Sequence, residues 1–299
     1  MGGKHIKNQI APRRPDPTDY VWLERQTFHI RGDEYTLLRR LGNGSFGSVW
    51  VSTTPSGFYA AVKVFDLRRR RSASKALHLT RSFETEIRMA YEMRNAGNYA
   101  ATIYGFEFDR QRNVALIAME LGDDSLKNRV QTLHRSHRGS ETAGHDYISA
   151  SDRKNIWLQL VEIILALDRL HVIHRDLKPS NLVFFGPVMK LIDFGISQKE
   201  YSPHEPLIGD RCYAAPECLS GGAPITTKAD IWSAGGILYY MTYGSKPYYR
   251  SPLPPPNSAT TRSVLVQEVI HHCLRRNLHR RANHQWLAQH PLSSSTALG

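Results

Sequence analysis

The stretch His174-Arg175-Asp176-Leu177-Lys178-Pro179-Ser180-Asn181 concentrates groups that can do chemistry, and Asp193-Phe194-Gly195 follows it closely. The first run holds a carboxylate, an ammonium and an amide, and the second adds another carboxylate. A carboxylate can take a proton from a hydroxyl group, and carboxylate and amide oxygens are hard ligands that suit magnesium. Each side chain alone is ordinary for a loop or a turn, so the order and spacing of the two runs carry the information.

Three glycines, Gly42, Gly44 and Gly47, have G-x-G-x-x-G spacing between two segments that are typical of β-strands. Glycine lets the backbone approach phosphate groups closely because it has no side chain. A plain glycine-rich hairpin would have the same composition, so this spacing alone is a weak signal. A dinucleotide site of the Rossmann type needs a helix directly after the glycines. Here Val49-Trp50-Val51 continues as a strand, which does not favour that alternative.

Taken together, these residues resemble the catalytic machinery of the eukaryotic protein kinase family, which transfers the terminal phosphoryl group of ATP. The resemblance depends on a glycine-rich loop followed, in order, by Lys63, Glu86, Asp176, Asn181 and Asp193. Ala215-Pro216-Glu217 also resembles the end of a kinase activation segment, with Arg281 as the expected partner of Glu217. The similarity extends over residues 35–291, nearly the whole chain of 299 residues.

The resemblance implies a role for each residue of the catalytic loop. Asp176 would accept the proton of the substrate hydroxyl or orient that hydroxyl, and Lys178 would neutralise charge on the transferred phosphoryl group. Asn181 and Asp193 would bind Mg²⁺ through oxygen atoms. These four residues therefore form the expected centre of the site.

Lys63 would hold the α- and β-phosphates of ATP in the same resemblance, and it needs an acidic partner. Glu86, on a helix predicted over residues 80–94, is the expected partner. Glu84 faces another side of that helix and is the competitor. If Lys63 had no such partner, it would be an ordinary surface lysine at a strand edge.

The resemblance also implies an adenine pocket. Met119 would be the gatekeeper residue at its back, the backbone of residues 120–122 would form the hinge, and apolar side chains would sandwich the ring. The residues expected to contact ATP are Leu41, Gly42, Gly44, Gly47, Val49, Ala61, Lys63, Met119, Glu120, Leu121 and Val183.

Within the kinases, residues 191–196, 236–244 and 273–291 are most similar to the monopolar-spindle (TTK-type) dual-specificity kinases. Those enzymes act at kinetochores in the spindle checkpoint. The similarity implies transfer to Ser or Thr of protein substrates, leaves transfer to Tyr open, and implies a role in the cell cycle.

The predicted elements fit an α+β fold of two lobes. Strand-like segments up to residue 121, interrupted by one amphipathic helix, predict a small antiparallel sheet, and long apolar helices follow from Ser151, the expected N-cap. We expect a flexible extension over residues 1–29, the N-lobe over 30–122, the mainly helical C-lobe over 123–292 and a tail over 293–299. The active site would lie in the cleft between the lobes.

The amino-acid composition limits the binding partners and the cell compartment that we expect for this protein. Lys and Arg total 39 against 27 acidic residues, a net charge of +12, but the positive charges are dispersed, so no specific nucleic-acid binding is expected. The three cysteines lack metal-ligand spacing and fit a reducing compartment. Because no apolar run reaches membrane-spanning length, we expect a soluble intracellular protein, cytoplasmic or nuclear, without a membrane partner.

Two departures from the kinase pattern concern activity. Gly209-Asp210 stands where kinases selective for Ser or Thr usually carry Gly-Thr. A carboxylate there would lie near Asp176, and two close carboxylates disfavour each other's ionisation, so we expect weak peptide phosphorylation relative to ATP binding. Ala90 is smaller than the usual residue one turn beyond Glu86, which would loosen the active arrangement.

Other departures concern loops. The activation segment offers Ser197, Tyr201 and Ser202 as hydroxyls, with Glu205 as a fixed anion for Arg175. The proline-rich stretch 248–264 predicts that the helix which commonly docks substrates is reduced or absent. Residues 132–145 are polar and rich in His, so they read as a loop insertion, in which a metal site from its histidines is an alternative.

Two rivals to an active protein kinase remain from the sequence. A pseudokinase would hold nucleotide and act as a scaffold, which Asp210, Ala90 and the missing docking helix favour. A small-molecule kinase is disfavoured by Ala215-Pro216-Glu217, which resembles a protein-substrate anchor.

Overall fold

The computed structural model describes residues 21–43, 47–69, 73–138, 146–200, 202, 212–220, 225–247 and 251–294 of the chain. Within these ranges, strands dominate the N-terminal part and helices the C-terminal part, and a cleft lies between them. The α+β fold of two lobes expected from the sequence is confirmed.

The sheet of the N-lobe contains β1 Thr27–Ile30, β2 Asp33–Asn43, β3 Ser48–Thr53, β4 Tyr59–Asp66, β5 Ile103–Asp109 and β6 Val114–Met119. The strands are antiparallel and pair in the order β1-β2-β3-β4-β6-β5. Alternate side chains of β4 point to opposite faces. Val62 and Val64 therefore enter one hydrophobic core, whereas Ala61 and Phe65 enter the other, on the same side as Lys63.

Helix α1, Ala73–Asn95, covers the second face of this sheet. Met89 and Met93 are fully buried, and Phe83 meets Phe65 edge to face with ring centroids 5.5 Å apart. The helix begins before residue 80, where it was predicted to begin, because residues 73–79 include the strong helix formers alanine, lysine and leucine.

The start of the N-lobe corrects the expected boundary of the N-terminal extension. A boundary between residues 29 and 30 would cut β1, and Leu23 and Phe28 are fully buried in the core beneath β2. The sequence did not predict that Leu23 and Phe28 are buried, because the stretch before them is polar and contains prolines. Residues 21–29 therefore belong to the lobe, and residues 1–20 lie outside the described residues.

The C-lobe contains α2 Leu126–Arg138, α3 Ala150–Arg169, α4 Pro216–Ser220, α5 Lys228–Tyr243, α6 Val264–Cys273 and α7 His284–Gln289. Helix α5 is buried along almost its whole length and is followed by Gly244 at φ 70°, the left-handed conformation that favours glycine. Helix α3 is capped by Ser149 rather than Ser151, because the Ser149 hydroxyl accepts the backbone N–H of Asp152 at 3.1 Å.

Five short strands complete the C-lobe: β7 Asp124–Ser125, β8 Val172–Ile173, β9 Leu182–Phe185, β10 Val188–Leu191 and β11 Gln198–Lys199. They pair as β10-β9-β7 and as β11-β8. The loop from His174 to Asn181 joins β8 to β9, and Asp193 lies two residues after the end of β10. The antiparallel β9-β10 hairpin thus brings the two chemically informative runs together.

The structure can be compared with the sequence predictions for two loops, residues 132–145 and the proline-rich stretch 248–264. Helix α2 continues through Arg138, so the expected loop insertion over 132–145 is wrong for its first part, and 139–145 lie outside the described residues. His134 stacks on Tyr147 with ring centroids 3.6 Å apart, and its Nδ1 lies 2.6 Å from the Tyr147 carbonyl oxygen, so it packs as part of the fold. No helix occurs in residues 251–263, the described stretch before α6 in which we expected the substrate-docking helix to be reduced or absent.

The C-terminal boundary also shifts. Trp157 Nε1 donates to Ser293 Oγ at 3.1 Å, and Leu292 is buried, so the chain is attached to the C-lobe through at least residue 293. None of the helices in the described ranges combines the length and apolar character needed to cross a bilayer.

Candidate active site

The catalytic loop rests on a buried carboxylate of α5. Asp230 accepts the backbone N–H groups of His174 at 2.7 Å and Arg175 at 3.2 Å. Burial raises the pKa of Asp230 to about 7, although these two hydrogen bonds and the Arg175 charge act in the opposite direction. Arg175 has φ 68°, an unfavourable conformation for a residue with a side chain, and the bond to Asp230 helps to hold it.

The imidazole of His174 joins this loop to the Asp-Phe-Gly turn. Its ring lies edge-on to Phe194 at 5.1 Å between centroids. Nδ1 accepts the N–H of Asp176 at 3.2 Å, and Nε2 lies 3.3 Å from the Ile192 carbonyl oxygen. Burial lowers the pKa of His174, so the ring is neutral at neutral pH and holds a single tautomer.

Asp176 is oriented by two neighbours in the same loop. Lys178 Nζ donates to Asp176 Oδ2 at 2.6 Å. Asn181 Nδ2 donates to the backbone oxygen of Asp176 at 2.9 Å and to Oδ2 at 3.0 Å. The structure therefore brings these three predicted residues into direct contact.

Lys63 lies at the centre of a buried charge cluster. Its Nζ contacts the carboxylate of Glu86 and donates to Asp193 Oδ1 at 2.8 Å. Glu84 is exposed to solvent on another face of α1, so Glu86 and not its competitor meets the lysine. The structure thus joins β4, α1 and the Asp-Phe-Gly turn through one ammonium group.

The ionisation of this cluster follows from its burial. Burial alone would lower the pKa of Lys63, but the charges of Asp193 and Glu86 raise it above its usual value. Burial would likewise raise the pKa of Asp193, but Lys63 holds it below its usual value. One ammonium cannot fully offset two carboxylates, and burial raises the pKa of Glu86 to about 7.

A cleft of about 510 Å³ opens in front of these charges. Its lining combines apolar side chains of both lobes with the polar groups described above. The predicted residues that line it are Leu41, Gly42, Val49, Ala61, Lys63, Glu86, Met119, Glu120, Leu121, Lys178, Asn181, Val183 and Asp193. Its size suits a nucleotide-sized ligand.

Two glycines of the predicted loop, Gly44 and Gly47, are not among the described residues that line the cleft. Gly44 lies outside the described residues. Gly47 does not line the cleft, and a Cβ there would come within 2.1 Å of the Val64 carbonyl oxygen. Glycine at 47 is therefore required for the close pairing of β3 with β4, a packing role that the spacing did not reveal.

The predicted hinge, residues 120–122 at the back of the cleft, is held by contacts with both lobes. Glu120 donates its N–H to the Thr102 oxygen at 2.8 Å, and its carboxylate accepts Lys190 Nζ at 2.8 Å. Burial would raise the pKa of Glu120, but Lys190 and the Thr102 N–H hold it below its usual value. A Cβ on Gly122 would lie 2.2 Å from Val183, so glycine permits this close approach. Sequence reasoning missed Lys190 because the residue is remote along the chain.

The segment after residue 211 is anchored by the predicted pair of Glu217 and Arg281. Arg281 donates two hydrogen bonds to the carboxylate, at 2.5 and 2.9 Å, and its guanidinium also lies over the Trp232 ring at 5.1 Å. Both side chains are buried, at 0% exposure for Arg281 and 8% for Glu217. A bidentate pair in this setting fixes the direction of α4.

The start of the activation segment is held by hydrogen bonds and one ion pair. Arg175 Nη1 donates to Gln198 Oε1 at 2.7 Å. Ser197 is buried and donates to the His174 oxygen at 3.3 Å, so it is not an accessible phosphate acceptor. Lys199 contacts the carboxylate of Glu92 in α1 and donates to the Leu170 oxygen at 2.9 Å. Tyr201, Glu205 and Asp210, for which the sequence predicts roles, lie outside the described residues.

The donor set at the cleft is compatible with a magnesium ion that also binds phosphates. Asn181 uses its amide nitrogen for Asp176, which directs its oxygen away from that carboxylate. Asp193 adds a carboxylate close by. The described residues contain no cluster of three or more His, Cys, Asp or Glu that could hold a metal by itself. Magnesium normally takes one or two protein oxygens and completes its shell with phosphates and water, so the residues fit.

Comparisons with known proteins agree with this geometry. The pattern of the family described as "Protein kinase domain" matches residues 35–293. The chain is 25% identical over 283 residues to "Dual specificity protein kinase TTK" of Mus musculus, covering 81% of this chain and 31% of that protein. It is 31% identical over 222 residues to "Calcium-dependent protein kinase 22" of Arabidopsis thaliana, covering 72% and 41%.

A third relative, "SNF-related serine/threonine-protein kinase" of Homo sapiens, is 33% identical over 157 residues, covering 46% of this chain and 20% of that protein. The chain thus spans less than half the length of each relative. These relatives carry different kinase names at similar identity, so they support the family and do not single out the TTK type. Since the family pattern covers well over half of the chain, this protein belongs to the protein kinase family.

Proposed function

We propose that this protein transfers the γ-phosphoryl group of ATP to Ser or Thr residues of protein substrates. The observation that carries the proposal is the contact of Asp176 with Lys178 and Asn181 beside a cleft whose lining includes Lys63 and Asp193. A carboxylate, two ammonium groups and oxygen ligands for a cation are the groups that phosphoryl transfer from a nucleotide requires.

In this proposal Asp176 orients the attacking hydroxyl and takes its proton, while Lys178 offsets charge on the phosphoryl group. Lys63, kept protonated by the carboxylates around it, binds the α- and β-phosphates. Asn181 and Asp193 hold Mg²⁺, which when bound supplies positive charge to the phosphate oxygens. In this proposal most of the catalysis comes from the positioning of these groups.

The adenine ring would lie between apolar residues of the two lobes. Val49 and Ala61 line the cleft from the sheet side, and Val183 lines it from β9. Met119 closes the back, and the backbone of Glu120 and Leu121 would hydrogen-bond the ring edge. The side chain of Glu120 is committed to Lys190, so its contribution to ATP binding is through the backbone.

The narrower assignment is a TTK-type dual-specificity kinase with a role in the mitotic checkpoint, in the cytoplasm or nucleus. Similarity to the mouse TTK protein supports it, at 25% identity. The acceptor would then include Tyr as well as Ser or Thr. Analysis of phosphorylated amino acids in the products of the assay below would separate these acceptors.

A nucleotide-binding scaffold with little transfer is the second candidate, and Ala90 favours it. A small cavity of about 10 Å³ borders Ala90, Ile103, Met119 and Phe194, next to Glu86. A void behind the Lys63 partner removes packing that would hold α1 in the arrangement that transfer needs.

Transfer of radiolabel from [γ-³²P]ATP to a generic basic protein and to the chain itself tests the proposal. The wild type is compared with Asp176→Asn and Lys63→Met, each prepared in the same way. We expect labelling by the wild type and a loss of at least about 100-fold in both variants, since each removes a group that acts in the transition state. Equal labelling by all three proteins, or none by the wild type, would contradict the proposal.

A further inference from the structure

The predicted hinge is attached to the C-lobe at its first residue. Glu120 Oε2 accepts hydrogen bonds from Lys190 Nζ at 2.8 Å and from the Thr102 N–H at 3.1 Å. Lys190 lies in β10, its side chain is 6% exposed, and its Nζ is 4.8 Å from the centre of the Phe185 ring. The carboxylate and the ring face both attract this buried ammonium. One oxygen atom of Glu120 therefore joins the N-lobe to β10 of the C-lobe.

The far end of the hinge is attached to the same hairpin, which β9 and β10 form. Asp123 donates its N–H to the Phe184 oxygen at 2.8 Å, and its carboxylate accepts the Gly186 N–H at 2.7 Å. Between the two ends, the hinge closely approaches Val183, which pairs with Lys190 across the hairpin. The hinge and the hairpin are therefore joined along the whole hinge.

Lys190 connects the hinge to the proposed magnesium site without lining the cleft. It lies three positions before Asp193, the proposed magnesium ligand, and opposite Val183, which would contact the adenine ring. Glu120 and Val183 are among the described residues that line the cleft, and Lys190 is not. An effect of Lys190 on a bound nucleotide therefore has to pass through the hinge or the hairpin.

Adenine and guanine differ at the edge that the hinge backbone would meet. At corresponding positions adenine carries an amino group, which donates a hydrogen bond, and guanine carries an oxygen, which accepts one. A backbone held in one orientation matches one of these patterns, and the other base leaves buried polar groups without partners. If the hinge is loosened, its peptide groups can reorient, so the preference for one base falls.

Resting on the proposed function, in which the hinge backbone binds adenine, we propose that Lys190 is a positioning residue that fixes the hinge and so sets the preference for ATP over GTP. Lys190→Met removes the ammonium and keeps an unbranched side chain beside Phe185. The Glu120 carboxylate then keeps the Thr102 N–H but loses its link to β10. The hinge is released at its first residue, while Asp123 still holds its far end.

Two further variants separate this contact from the general stability of the hairpin. Gln159 in α3 accepts the Met189 N–H at 2.7 Å and donates to the Pro187 oxygen at 3.3 Å. Gln159→Met therefore weakens the attachment of the same hairpin through contacts that do not involve the hinge. Lys190→Arg keeps a cation that can donate to Glu120, so it should preserve the link.

The test measures dissociation constants of the full chain for the magnesium complexes of AMP-PNP and GMP-PNP, non-hydrolysable analogues of ATP and GTP, by calorimetry. We expect the wild type to bind the ATP analogue about tenfold or more tightly than the GTP analogue. In Lys190→Met this preference should fall about fivefold, chiefly through weaker binding of the ATP analogue. Lys190→Arg and Gln159→Met should keep it within about twofold of the wild type.

The ratio of the two dissociation constants does not depend on the folded fraction of the protein, so a variant that is merely less stable leaves it unchanged. Glu120→Gln also removes the ion pair and keeps an acceptor for the Thr102 N–H. It should lower the preference in the same direction, which keeps the test decisive if Lys190→Met does not fold.

An unchanged preference in Lys190→Met, an equal loss in Gln159→Met, or a wild type that binds both analogues equally would overturn the inference. Label transfer from ATP is measured separately. A preference that depends on Lys190, without label transfer by the wild type, would contradict the proposed kinase activity and leave the role of Lys190 standing. Label transfer with a preference that Lys190→Met does not change would contradict the inference alone.

Discussion

Lys63 Nζ lies 2.8 Å from Asp193 Oδ1 while the same ammonium contacts Glu86. Asp193, the proposed magnesium ligand, is thus linked to Lys63, the residue proposed to bind the phosphates. Both line the cleft, so the charges that the proposed binding of a metal-bound triphosphate requires are assembled in advance. Prearranged charge is the main source of electrostatic catalysis, because little reorganisation remains to be done during the reaction.

The pH dependence of folding should report the buried carboxyl of Asp230. Its pKa rises from 3.8 to about 7 in the folded chain, chiefly through burial. Between these values the folded state binds more protons than the unfolded state, so the free energy of unfolding falls as pH rises, by up to about 1.4 kcal/mol per pH unit.

Urea unfolding of the wild type and Asp230→Asn between pH 4 and 7 would measure this contribution. The asparagine variant should lack it, so the difference between the two slopes isolates Asp230 from other buried carboxyl groups such as Glu86, whose pKa is also raised to about 7. Parallel slopes in the two proteins would show that the carboxyl is not perturbed as described.

The ion pair of Arg281 with Glu217 should be strongly coupled in stability. Arg281→Met leaves Glu217 buried without its partner and should lower the free energy of unfolding by about 3–5 kcal/mol. Adding Glu217→Leu to that variant removes the stranded charge and should recover part of the loss. Chemical denaturation of the two single variants and the double variant gives the coupling energy, and additive losses would contradict a direct buried pair.

The contact between Lys199 and Glu92 links the activation segment to α1, the helix that carries Glu86. Glu92→Gln should lower kcat/KM for ATP about threefold, because a partly exposed pair contributes little more than a few tenths to 1 kcal/mol. The reversed pair, Glu92→Lys with Lys199→Glu, should restore most of the loss. Single and reversed variants with the same kcat/KM as the wild type would show that this link does not position α1.

The small cavity beside Ala90 should accept a larger side chain. Methionine is unbranched, favours helices and adapts to irregular gaps. Ala90→Met should therefore raise the free energy of unfolding by about 1 kcal/mol and raise the transfer rate by keeping Glu86 in place. Thermal unfolding and the label-transfer assay measure both effects. A lower melting temperature would mean that the site is already filled.

Local patterns predicted the parts of the site that lie close together along the chain. Asp176, Lys178 and Asn181 could be assigned from one run of residues, and they meet within one loop. Helix periodicity also separated Glu86 from Glu84, since residues two positions apart on a helix point to different sides.

Contacts between remote segments could not be read from such patterns. Glu120 and Lys190 are separated by 70 positions, and Asp230 lies 56 positions from His174, so only the fold brings each pair together. Short or polar elements were also missed. Strand β1 has only four residues, too few for a clear periodic signal. In α2 the apolar residues Leu126, Val130 and Leu133 do have helical spacing, but the polar, His-rich composition around them suggested a loop instead.

Isothermal titration calorimetry with a non-hydrolysable ATP analogue tests the central claim most directly. The wild type and Asp193→Ala are each titrated with magnesium and with EDTA. The account predicts that magnesium tightens binding to the wild type by about tenfold or more and has little effect on the variant, because Asp193 supplies the carboxylate ligand. Nucleotide binding by the wild type that is indifferent to magnesium, or is unchanged in Asp193→Ala, would contradict it.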